Sequence, residues 1–230
     1  MIVTIHQPDF MPWLGLFNKI KNADEFIILD HTINNPKSPE FWCRRVKMLI
    51  GGKDHWMSVS LKKDNNNLFV PIKDMELQID EKSNKKFLQS IELNYKKAPY
   101  FNEIYYLVEN YFKMSTNNLS KRNSWFITEV MEKLGINTKI IYSSDLNPIY
   151  TSNEMLIDLL KKRNATTYLC GAGASGYQKD ELYLAENILV VYNRFIHPTY
   201  KQFNSNQFLS GLSIIDPLMN IGFEQTAKLI

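Results

Sequence analysis

The chain reads as an α/β protein: a mostly parallel sheet with flanking helices, a β-hairpin and a helical middle block. Three observations predict this. Residues 2–29 run strand, polar loop, helix, strand; residues 168–192 repeat that order around a glycine cluster; and helical periodicity fills the stretch from about 80 to 135. Strands joined through helices build parallel sheets with right-handed crossovers. The expected organisation is a single α/β domain over 1–230, with 80–135 a helical subregion packed on the sheet.

The β-branched run at residues 2–5 suits a buried strand. It stops at His6-Gln7-Pro8, because Pro8 has no amide hydrogen to give a ladder and holds Gln7 extended. Pro12 can open a helix over 13–21, with Trp13, Leu16, Phe17 and Ile20 on one face. An apolar run at 26–29 gives the next strand, closed by Asp30-His31. A loop rich in Asn and Pro follows, then a hairpin over 44–61 turning at Gly51-Gly52, with its second strand expected at 56–61. Further strands are expected at 68–72 and 76–79. Helical spacing then covers 82–113, broken by Pro99, and 119–134, where Gly135 fits a C-cap. A strand at 138–142, a helix at 153–162, a strand at 168–169, a glycine loop, a helix at 178–186 and a strand at 188–192 complete the second half.

Composition excludes several classes. A chain of 230 residues with 44% hydrophobic and 13% aromatic residues can bury a real core, which a disordered chain cannot. Its net charge of +3, without a long basic run, lacks the footprint of a DNA-binding protein. No window approaches the ~20 apolar residues that cross a bilayer. Nor does residue 1 begin a signal peptide, so a cytoplasmic protein is expected, with Cys43 and Cys170 as free thiols.

In open parallel sheets ligands sit beyond the carboxyl ends of the strands. Here those ends carry His6, Gln7, Asp9 and Asp30. A histidine there can act as acid or base near neutral pH or donate to phosphate, and Gln7 can orient a carboxylate, amide or hydroxyl; His6 can also simply pin the turn. Gly171, Gly173 and Gly176 spell GxGxxG between strand and helix, where backbone amides can receive an anion, with Ser175 and Tyr177 in the same loop. The motif lies near the C-terminus and has no acidic partner about twenty residues on, which argues against a dinucleotide site and leaves a phosphate or carboxylate cradle or a plain turn. Asp216 and Asn220 share a helical face, where capping and packing compete with ligand binding, and His197-Pro198 can supply a second imidazole. The four histidines are scattered singly, so no metal site is expected, and no GxSxG elbow supports a serine nucleophile.

The run His6 to Ile20, with Ala23-Asp24, Ile28-Leu29-Asp30, the Arg45 and Lys47 region, Ala165 to Leu169, the 171–177 loop, His197 to Tyr200, Leu212 to Asp216 and Asn220 to Gly222, resembles the WbqC-like family over nearly the whole chain. The chain departs from the family pattern at His31, where a second acidic residue usually follows Asp30, and at Val46, where a polar residue often stands. A fainter likeness joins Gly15 to the HxGH loop of nucleotidyltransferases, but Trp13 and Leu16 stand where that motif has histidines. The family resemblance implies a bacterial protein of O-antigen or other surface-glycan synthesis that transfers an acyl or aminoacyl group onto a nucleotide-linked amino sugar. On that reading His6, Gln7 and Asp30 are catalytic. Asp9, Trp13, Gly15, Arg45, Lys47, Gly171, Gly173, Ser175, Tyr177, His197, Asp216 and Asn220 bind substrate. The donor stays open between an adenylate made from ATP, a charged tRNA and a coenzyme A thioester. A non-catalytic sugar-nucleotide scaffold and a glycosyltransferase are the alternatives.

Overall fold

A computed structural model describes residues 1–62, 69–176 and 178–230, with backbone alone at 174 and 175. Five parallel strands form the main sheet: β1 (Ile2–His6), β2 (Glu25–Ile28), β5 (Lys139–Tyr142), β6 (Thr167–Gly171) and β7 (Leu189–Asn193), in the order β5-β2-β1-β6-β7. The chain therefore builds outward from β1 on one side, returns, and builds outward on the other. Sequence order reverses between β1 and β6, which pair in parallel from Ile2↔Thr167 to Thr4↔Leu169. The β3 (Arg45–Ile50) and β4 (Lys53–Ser58) hairpin is the second sheet.

Alternation along the strands sets the two layers. Val3, Ile5 and Ile27 pack with Leu159, Leu160, Tyr168 and Tyr183, beneath α5 (Ser152–Lys162) and α6 (Asp180–Ala185). Phe26 and Ile28 face the other way, into a larger core with α1 (Leu14–Lys21), the hairpin, α2 (Glu81–Tyr95), α3 (Phe101–Lys113), α4 (Leu119–Lys133) and α7 (Ile215–Lys228). The seven helices, parallel sheet and hairpin match the α/β reading, and the 80–135 stretch is three helices as its periodicity predicts.

Some expected elements differ. The second hairpin strand is Lys53–Ser58, not 56–61, because Gly51 and Gly52 both take positive φ (59° and 77°) and close a two-residue turn that pairs Ile50 with Lys53. The expected strand at 68–72 begins at Leu68, outside the described residues, and Ile72–Asp74 is a 3-10 turn. At 76–79 there are only single bridges, Leu61↔Leu77 and Glu76↔Asn118. Among the described residues these segments have no neighbouring strand that extends a ladder. The helix after the glycine loop is six residues, Asp180–Ala185, rather than 178–186.

Candidate functional site

β1 and β6 end side by side, at His6 and Gly171. Neighbouring strands lie about 4.8 Å apart, so the imidazole that opens the sequence and the glycine turn that falls near its end share one carboxyl edge, at the point where strand order reverses.

His6 is held on both sides. Its Nε2 lies 3.0 Å from Asp9 Oδ2, and Lys19 Nζ donates to Nδ1 at 3.2 Å and to the Ile5 carbonyl at 3.1 Å. An ammonium can only donate, so the ring proton belongs on Nε2, facing the carboxylate. Burial and the Lys19 charge hold His6 below its ordinary pKa, with Asp9 opposing them, so the ring is neutral at pH 7. Lys19 projects from α1 beneath the strand end and is 3% exposed. Burial brings its pKa down to about 8 against the pull of Asp9. The His6 side chain keeps 29% exposure, so one part of the ring faces outward.

The loop after β1 is anchored from the helical block. Asn123 on α4 is fully buried; its Nδ2 donates to the carbonyls of Pro8 (2.8 Å) and Cys43 (2.7 Å), and its Oδ1 accepts from Tyr111 Oη (2.7 Å). The Phe10 amide donates to the Trp42 carbonyl. The Cys43 thiol lies 3.7 Å from Gln7 Oε1 and 3.8 Å from Asp9 Oδ1, and burial with the Asp9 charge pushes it well above its usual pKa, so it is no nucleophile. The Gln7 amide nitrogen has no protein partner among the described residues, which leaves a donor beside the imidazole.

Lys19 and Asn123 are absent from the sequence-derived set. One signal could have found Lys19: it falls three residues after Leu16, inside the apolar stripe of α1.

Gly171 leads into a 3-10 turn over Ala172–Gly176. At Gly171, Gly173 and Gly176 a Cβ would meet nothing within 4 Å, and none has a positive φ, so neither packing nor backbone geometry demands glycine there. α6 starts four residues past Gly176 with Asp180 and Glu181 in its first turn, so no helix N-terminus faces an anion at the glycines; any cradle uses the turn's own amides. Ser175 lies in the turn without a described side chain, and Tyr177 lies outside the described residues.

Trp13 and His197 come together. Trp13 sits at the N-cap of α1, 36% exposed rather than inward with Leu16 and Phe17. His197 stacks on it (centroids 6.2 Å, interplanar 22°), and Phe195 meets it edge-on at 5.6 Å. The Trp13 indole lies where a Cβ on Gly15 would be, so glycine is what allows the ring to fold over the helix start. Gly15→Ala is expected to swing Trp13 outward: alanine's helix propensity, worth ~1 kcal/mol, offsets the lost ring contacts, ~0.5–1.5 kcal/mol, so stability changes little. Tryptophan fluorescence should shift to the red; unchanged emission would mean the ring keeps its place.

The other predicted residues are engaged within the fold. Asp30 accepts from Ser143 Oγ, Ser144 N and Ser144 Oγ, each at 2.9 Å, tying the end of β2 to the turn after β5. Arg45 lies 3.8 Å over the Trp56 ring and Lys47 pairs with Asp54 at 2.7 Å, both on the hairpin. Asp216 is buried and accepts from Tyr95 Oη, Tyr200 Oη and Gln202 Nε2, yet burial still pushes its carboxyl up. Asn220 accepts from the Phe203 amide, so both residues hold the segment that carries His197. Among the described residues no three His, Cys, Asp or Glu side chains are grouped to hold a metal ion. Among the described residues no helix is long and apolar enough to cross a membrane.

Comparison with known proteins places this arrangement in a family. No solved structure matches the chain. An uncharacterized protein of Mycobacterium tuberculosis (strain ATCC 25618 / H37Rv), Rv1507c, is 28% identical over 226 residues, covering 96% of this chain and 94% of its own. The profile of the WbqC-like protein family matches residues 7–228, from the glutamine beside the strand-end imidazole to the end of α7. With a match that takes in the strand-end loop, the glycine turn and the closing helix alike, the chain belongs to the WbqC-like protein family.

Proposed function

We propose that the protein is an acyl or aminoacyl transferase that forms an amide on the amino group of a nucleotide-linked sugar, in bacterial surface-polysaccharide synthesis. One observation carries the reading: His6 and the Gly171 turn end adjacent parallel strands where the strand order reverses. In this reading the sugar nitrogen attacks the activated acyl carbon, a C–N bond forms, the bond to the leaving group breaks, and the nitrogen gives up one proton. The amide nitrogen of Gln7 is the donor for the developing oxyanion. Arg45 and Lys47 are engaged with Trp56 and Asp54. The diphosphate contact therefore falls to the amides of the 172–176 turn, and the Trp13–His197 stack is the wall for the base.

His6 accepts the proton only once Lys19 has lost its own, since the Lys19 charge depresses the imidazole and occupies Nδ1. Lys19 does so near pH 8, so turnover should rise through about pH 8. The test is incubation with dTDP- and UDP-linked amino sugars, ATP and free amino acids, following product mass. A gain of one aminoacyl mass is expected, and its absence with every donor, thioesters and charged tRNA included, overturns the proposal.

A second reading, a non-catalytic sugar-nucleotide scaffold, is favoured by the engagement of both His6 nitrogens inside the protein. His6→Ala separates the two: lost turnover with retained nucleotide-sugar binding supports the transferase, and an unaltered glycan supports the scaffold.

A further inference from the structure

A groove lies away from His6. It is about 360 Å³ and runs between β4, the 77–79 segment and the first half of α2, at the lower end of the roughly 300–1,000 Å³ range of small-molecule sites. Its floor is Phe87, Phe112 and the buried Arg122. Each nitrogen of the guanidinium donates to a carbonyl, of Tyr111, Met114 or Thr116, closing the C-terminal end of α3.

What remains for a ligand is of two kinds. Trp56 forms one wall; it is 45% exposed, with Arg45 over its ring at 3.8 Å and Lys47 Nζ at 5.5 Å. Around it stand Ser58, Ser60, Gln78, Asn84, Lys86 and Ser90. None of these six side chains has a protein hydrogen-bond or ion-pair partner among the described residues. Among the described residues the lining contains no carboxylate.

An aromatic wall beside unengaged hydroxyl and amide groups is what a pyranose requires. The ring's C–H face packs on an aromatic surface, while its hydroxyls, each donor and acceptor, need neutral partners that can do both. A purely apolar ligand would displace water from these polar side chains without replacing its hydrogen bonds, and a cation would meet Lys86 with no carboxylate among the described lining residues to oppose it. We infer that this groove is a second ligand site, for a saccharide of one or two rings, seated against Trp56 and hydrogen-bonded by Ser58, Gln78, Asn84 and Ser90. It requires neither nucleotide nor acyl donor and stands independently of the transferase reading.

The test is titration of the whole protein with cellobiose, lactose and N,N′-diacetylchitobiose, by calorimetry and by saturation transfer from protein to sugar protons. At least one should bind. Trp56→Ala, at an exposed position the core does not use, should weaken it at least about tenfold, and Gln78→Ala with Asn84→Ala should do the same. His6→Ala should leave the affinity within about twofold, so a failure here is separable from a failure of the transferase assay. No saturation transfer from any of the three at about 10 mM overturns the inference, as does binding that survives both groove variants.

Discussion

Asn123→Ala should destabilise the protein by roughly 3–5 kcal/mol. The amide is fully buried and makes three hydrogen bonds, to the carbonyls of Pro8 and Cys43 and from the hydroxyl of Tyr111. Alanine leaves all three groups buried without a partner, at about 1–3 kcal/mol each, and opens a small cavity between α4 and the strand-end loop. Tyr111→Phe removes only one of the three bonds and should cost about 1–2 kcal/mol. Urea unfolding of both variants checks the pair, with the midpoint falling and the slope unchanged. A loss below about 1 kcal/mol for Asn123→Ala would mean that the loop carrying His6 and Asp9 is held mainly by other contacts.

Much of the architecture was legible because local chemistry and tertiary context agree. The β-branched run into Pro8, the two glycines of the hairpin turn, Pro99 between α2 and α3, and Gly135, with φ 70°, after α4 each leave the backbone one good option. The two strand-helix-strand units were legible as units. That β1 and β6 would be neighbours was not, since the pairing joins residues about 165 apart and nothing local encodes it. The expected strand at 76–79 looks like one by composition, but pairing needs a partner, and among the described residues only isolated bridges form there. At the candidate site, the placement of His6, Gln7 and Asp9 at and just past the end of β1 was legible from the run into Pro8. Asn123 did not, because an asparagine within a helix carries no mark of the carbonyls it will meet 80 and 115 residues away. Trp13 looked like a core residue by spacing, yet the missing Cβ at Gly15 lets it lie across the helix start instead.

Lys19→Met should change how stability depends on pH more than it changes stability at pH 7. The folded protein releases the Lys19 proton near pH 8, whereas the unfolded chain keeps it to about 10.5. Between these values the unfolded state binds more protons, so the free energy of unfolding rises with pH. The burial of the charge opposes folding by roughly 3 kcal/mol below pH 8, and that cost disappears as pH climbs toward 10.5. Methionine keeps the stem and carries no charge, so the variant lacks this rise. It also leaves the Ile5 carbonyl and His6 Nδ1 without their donor, a loss of similar size, and the two effects nearly cancel at pH 7. By pH 10 the wild type should lead the variant by about 2–3 kcal/mol, read from urea midpoints across the range. The same substitution should raise the His6 pKa, because Asp9 stays at Nε2 while the opposing ammonium is gone, and the imidazole resonances in a proton NMR titration report this directly. Stability curves that run parallel from pH 7 to 10, with an unmoved His6 titration, would mean that Lys19 reaches solvent and that the strand-end imidazole is set by Asp9 alone.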